Sequence, residues 1–123
     1  MTYDTGNIFA KILRGELPCN KVYEDDCALA FHDIRPQAPV HVLVIPKGAY
    51  VSYDDFAANA PDAEILDFTR AVARLTRELG VDLDSGHGYR AITNAGEHGV
   101  QEVPHFHLHI LGGRNIGRMI DPA

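Results

Sequence analysis

The sequence predicts an α+β fold: a five-stranded, mostly antiparallel sheet with one main helix and a short N-terminal helix. Three observations predict it. Five short segments are rich in β-branched or aromatic residues and are bounded by turn formers. One long segment repeats apolar residues at helical spacing. No linker, repeat or low-complexity tract divides the 123 residues, so one domain over 1–123 carries every element. A sheet covered on one face by the long helix buries both patterns.

The elements follow in chain order. Residues 6–14 place Ile8, Ile12 and Phe9 on one helical face, and Gly15 can end that helix. Residues 21–24 and 28–33 read as two strands joined by a hairpin at Glu24-Asp25-Asp26. The run 40–45, Val-His-Val-Leu-Val-Ile, is the strongest strand signal, fenced by Pro39 and Pro46. Ser52-Tyr-Asp-Asp55 resembles a capping box and opens a short helix. Pro61 suits a first helical turn. Ile65, Phe68, Val72, Leu75 and Leu79 then line one face of the main helix, which Gly80 can cap. Residues 88–94 read as a fourth strand, 94–99 as a glycine-containing loop and 105–111 as the fifth strand.

Composition removes some function classes. The formal charge is −6, and nonspecific nucleic-acid binders need a basic surface. A single nucleotide in a pocket remains compatible. No stretch is apolar and long enough to span a membrane. The N-terminus carries Asp4 and Lys11 and no apolar signal segment, so a cytoplasmic protein is expected. Cys19 and Cys27 are then thiols, and their spacing matches no metal-binding pattern.

The chemistry is concentrated in Pro104-His-Phe-His-Leu-His-Ile-Leu-Gly-Gly113. Extended backbone alternates faces with period two, so His105, His107 and His109 share one face and Phe106, Leu108 and Ile110 the other. Three readings stand. The histidines are structural, although an imidazole cluster packs poorly and repels itself when charged. They ligate zinc. Or one imidazole attacks while its neighbours move protons. Spacing leaves the last two open. The polar neighbours are Asn94, Gln101 and Glu102, beside Gly96 and Gly99, and such a turn can present donors to an anion.

These residues resemble the histidine triad of the HIT superfamily, His-φ-His-φ-His-φ-φ, where φ is apolar. The resemblance extends to Asn7-Ile-Phe-Ala-Lys-Ile12, Phe31-His-Asp-Ile-Arg-Pro-Gln-Ala-Pro39, His41-Val-Leu-Val-Ile-Pro-Lys47, Tyr89-Arg-Ala-Ile-Thr-Asn94 and Leu111-Gly-Gly-Arg114, which look like the Hint branch. It implies metal-independent hydrolysis of purine nucleoside 5′-phosphoramidates, with no cofactor and with AMP or GMP as product. His107 would be the nucleophile, His109 would bind phosphate and assist the leaving group, and His105 and His41 would form a supporting relay. Asn94 would hold phosphate or leaving-group atoms. Gln101, Glu102 and Val103 would also contact substrate. Asp33 would accept from the ribose hydroxyls, and Ile8, Phe9, Phe31, His32 and Ile34 would line the base pocket. The same resemblance implies a homodimer whose sheets join across a two-fold axis.

Two alternatives stand beside this reading. A dinucleoside polyphosphate hydrolase of the fragile-histidine-triad branch typically has Gln where this chain has His109. A nucleotide-binding or scaffold protein would turn substrate over only incidentally. The chain also departs from the family it resembles. Some carry a zinc-binding Cys-x-x-Cys where Asn7 and Ala10 stand, so that site should be absent. Animal members read Gly-Gly-Gln-Ser before the triad, where this chain reads Gly99-Val100-Gln101-Glu102. Glu102 places a carboxylate near the expected phosphate and should alter leaving-group preference. The segment Asn115–Ala123 departs from the animal Trp-Pro-Pro-Gly ending.

Overall fold

The computed structural model of the protein describes residues 2–120, so the last three residues of the divergent C-terminal segment lie outside it. Its elements are α1 (Ile8–Leu13), β1 (Lys21–Glu24), β2 (Ala28–His32), β3 (Val40–Pro46), α2 (Tyr53–Asn59), α3 (Asp62–Glu78), β4 (Arg90–Ile92) and β5 (Leu108–Gly112). The five strands form one sheet in the order β1-β2-β3-β5-β4, with every neighbouring pair antiparallel. This is the predicted architecture. Among the described residues, no helix is long and apolar enough to cross a membrane.

Period-two alternation sorts the side chains of the sheet. Ala28, Ala30, Val42, Val44, Phe106 and Ile110 join one core cluster with Phe56 of α2 and Phe68, Ala71 and Leu75 of α3. The alanines of β2 leave room for α3, and Phe56, Phe68 and Phe106 interlock with ring centroids 5.1–5.2 Å apart. On the other face, Leu29, Phe31, Leu43 and Ile45 pack with Phe9 of α1. That second cover is short, because α1 has only six residues. The rest of the face, toward His41 and His109, is left open for a site.

Several boundaries differ from the sequence expectation. The fifth strand starts at Leu108, not at 105. His105 and Phe106 instead donate their backbone N–H to Val103 O and Tyr50 O, so this stretch is tied to loops. The chain bends at His105, yet the alternation of faces survives beyond it: Phe106 and Ile110 join the core under α2 and α3 while His107 and His109 line the opposite side. The fourth strand covers only Arg90–Ile92, since Thr93 turns its hydroxyl to His107 O at 2.9 Å. Helix α1 is shorter than 6–14: Asn7 caps it by accepting from Ala10 N, and Arg14 closes it. Ile8, expected on the buried face, is 54% exposed, while Phe9 and Ala10 are buried. Pro61 is the N-cap of α3 and lies just outside its first turn. Ser52 caps α2 through Asp55 N as predicted.

Candidate functional site

The open part of the sheet forms a cleft of about 630 Å³. Ile8, Phe9 and Ile12 of α1 and Phe31 and His32 of β2 line one end, with Asp33 and Ile34 just beyond β2. His41, His107 and His109 line the middle, and Asn94, Val100, Glu102 and Val103 border the rest. Ile34 is 93% exposed and can contact a ligand only at the rim. Two of the expected residues do not line the cleft. His105 is fully buried beneath it. Gln101 spends its amide on the loop: Nε2–H donates to Val51 O (2.6 Å) and Val103 O (3.0 Å), and Oε1 accepts from Gly96 N–H (3.1 Å). The Gly96 amide expected to face an anion is therefore already engaged.

Hydrogen bonds to groups with only one possible role decide the histidine tautomers. A carbonyl can only accept, and a backbone amide can only donate. His107 Nδ1 lies 2.7 Å from His105 O, so Nδ1 carries the proton and Nε2 has a free lone pair. His105 Nε2–H donates to Pro46 O at 2.8 Å, and its Nδ1 accepts from the Tyr3 hydroxyl at 2.6 Å. Gln37 N–H donates to His41 Nδ1 at 3.0 Å, which puts the His41 proton on Nε2. His41 Nε2–H then donates to His109 Nδ1 at 2.9 Å. Neutral His109 consequently carries its proton on Nε2. The relay thus runs from the Gln37 amide through His41 to His109. The ring of His105 is not in it; His105 serves His107 through its backbone carbonyl.

Burial holds all four imidazoles below their ordinary value. His105 is pushed down to about 4 by desolvation, against the opposing bond to Pro46. His109 is also lowered to about 4, by desolvation and then by the charges of His107 and His41. Desolvation lowers His107, opposed by its bond to the His105 carbonyl and by Asp33 and Glu102. His41 is lowered by burial, with Asp33 opposing. At neutral pH the cleft therefore presents a neutral imidazole with a bare nitrogen, His107, beside a neutral N–H donor, His109. The ring centroids of His107 and His109 are 5.1 Å apart, and Phe9 meets the His107 ring edge-on at 5.0 Å.

Asp33 is held beside them. Its Oδ1 accepts from Arg35 N–H at 2.7 Å, and its Oδ2 lies 3.4 Å from His41 Nε2. Asp33, His41 and His109 offer three potential ligand atoms within 4.8 Å of one another. The donor set does not suit a metal ion, because ligation needs a bare nitrogen and His41 Nε2 is protonated. Moving that proton to Nδ1 would set it against the Gln37 amide. At the positions of the N-terminal Cys-x-x-Cys, Asn7 is a helix cap and Ala10 is buried in α1. Cys19 and Cys27 are free thiols, both raised by burial.

The loop before the triad carries strain. Val100 adopts φ 54°, a left-handed conformation that a β-branched residue rarely takes. After β5, Gly113 has φ 88°, and a Cβ there would approach Pro39 Cβ to 2.8 Å. The glycine brings the chain close enough for Arg114 to donate to Gln37 O at 2.9 Å.

In sequence and fold the chain is similar to known proteins. The family model for the HIT domain matches residues 14–116. A 13.2 kDa HIT-like protein of Azospirillum brasilense is 57% identical over 97% of this chain and 95% of its own length. The purine nucleoside phosphoramidase of Escherichia coli K12 is 44% identical, covering 92% of each chain. The crystal structure of a HIT family hydrolase from Legionella pneumophila superposes with a TM-score of 0.76 at 44% identity, over 88% of this chain and 93% of that one.

Proposed function

The chain belongs to the HIT domain family and is related to hydrolases of that family, and from that premise we propose that it hydrolyses purine nucleoside 5′-phosphoramidates through a nucleotidyl-histidine intermediate on His107. One observation carries the reading. The His107 Nε2 lone pair and the His109 Nε2–H, each set by a backbone group, border the same cleft. The purine stacks among Ile8, Phe9, Phe31, His32 and Ile34, and Asp33 Oδ2 accepts from the ribose hydroxyls.

The reaction then runs in two displacements. His107 Nε2 attacks the α-phosphorus in line with the P–N bond. Bound phosphate brings negative charge against His109 and favours its imidazolium form. His41 turns its Nε2–H toward Asp33 Oδ2, its second acceptor at 3.4 Å. The P–N bond breaks as the leaving nitrogen takes the proton from His109 Nε2, and the amine departs. Water next adds to phosphorus and gives a proton back to His109. The P–Nε2 bond breaks, the nucleoside monophosphate leaves, and His107 is bare again. Asn94 steadies the phosphoryl oxygens. No step needs a metal or a cofactor.

The test is hydrolysis of a fluorogenic tryptamine phosphoramidate of AMP by wild type and His107→Ala, both metal-free. Turnover by wild type and a loss of about 10³-fold or more in the variant are expected. No turnover by the folded wild type would shift weight to a nucleotide-binding protein.

A further inference from the structure

We propose that Glu102 selects substrates whose leaving amine carries a second positive charge, the class of short diamines and other ω-ammonium alkylamines. This rests on the phosphoramidate reading above and names the substrate class within it.

His107 is buried, at 6% exposure, on the floor of the cleft. In-line attack sends the leaving group away from the nucleophile, which here is outward toward solvent. The segment between β4 and β5 borders that way out. It leaves β4 at Asn94 and lines the cleft with Val100, Glu102 and Val103 before reaching His105. Glu102 is exposed at the rim, and its charge still reaches His107.

The charge inventory supplies the rest. Apart from histidines, the charged residues lining the cleft are Asp33, Arg35 and Glu102. Asp33 is engaged by the Arg35 amide and stands beside His41. Arg35 follows Asp33 in the turn after β2, toward the purine end. Among the described residues, the Glu102 carboxylate makes no hydrogen bond or ion pair. An unpaired carboxylate beside an incoming phosphate anion weakens binding. A substrate that brings its own cation on the leaving side removes that penalty and gains an ion pair. A neutral alkylamine bears the repulsion without compensation.

Two adenosine 5′-phosphoramidates of equal length test this, one N-(4-aminobutyl) and one N-pentyl. The readout is the ratio of their kcat/KM values. Wild type should favour the aminobutyl compound about fivefold, the scale of one exposed ion pair. Glu102→Gln should bring the ratio close to one, and Glu102→Lys should invert it. Raising salt from about 0.05 M to about 0.5 M should shrink the wild-type ratio, because an exposed pair is screened. A wild-type ratio at or below one, or a Glu102→Gln ratio equal to wild type, overturns the proposal. If wild type hydrolyses neither compound, the phosphoramidate reading itself fails and this one with it. If it hydrolyses both equally, only the selectivity fails.

Discussion

At His107 the carbonyl two residues upstream accepts a hydrogen bond from Nδ1–H, which keeps the proton there and leaves Nε2 bare for attack. Burial then keeps that nitrogen unprotonated below the ordinary imidazole value of 6.5. The acid limb of kcat/KM is therefore expected below pH 6.5, measurable with the tryptamine substrate. Stability follows the same sign. A histidine whose folded value lies below its unfolded one takes up protons preferentially when unfolded, so its contribution is complete above about 6.5 and falls as pH drops toward the folded value. For His105, at about 4, the loss is spread between pH 6.5 and 4 and amounts to about 3 kcal/mol. His109 adds to it over the same window. Urea melts at pH 7.0 and 4.5 check this; equal midpoints would show the histidines to be solvated. The sequence made the shared face of the three histidines legible, because alternation is a local property. It could not reveal which nitrogen carries each proton. Apart from the His105 carbonyl, which serves His107 from two residues away, the deciding partners are Pro46 O, Gln37 N–H and the Tyr3 hydroxyl, and none of them adjoins the histidine it serves.

Among the connecting elements, the turn from Asp33 to Pro39 sets the relay. Pro36 and Pro39 stiffen it, Asp33 bonds back to the Arg35 amide, and the Gln37 amide reaches His41. Arg114, just past β5, holds Gln37 from its carbonyl side. Arg114→Ala is accordingly expected to lower kcat by about tenfold with a smaller change in KM, because it loosens the donor that orients His41. Arg114→Lys should recover part of the loss. An unchanged kcat in the alanine variant would show that the turn holds itself. The motif Leu111-Gly-Gly-Arg114 was visible in the sequence. Its connection to Gln37 was not, since the two positions lie 77 residues apart and meet only where β3 and β5 pair. Gln101 teaches the converse. Sequence placed it at the substrate, and the fold uses it to close its own loop onto Val51 and Val103.

Over the whole molecule, the sheet separates packing from chemistry. One face is filled by α2 and α3, and the other is divided between α1 and the cleft. The sheet also ends at β4, a short edge strand beside an apolar groove lined by Tyr53, Ile65, Val72 and Ala91. We expect two copies to join there across a two-fold axis, which would pair the free edge and cover the groove. Sedimentation equilibrium should then give twice the chain mass of 13.5 kDa. A monomer at micromolar concentration would sink that expectation.

The α+β class, the order of the elements and the face on which the three histidines stand follow from the residues alone. These depend on period and on turn residues, which are local. The arrangement of protons on His41, His105 and His109, the duty of Gln101, the start of the fifth strand and the position of Glu102 at the cleft rim emerge only in the folded chain. Those depend on donors and acceptors, mostly of the backbone, that folding brings together, and local periodicity carries no information about which of them will meet.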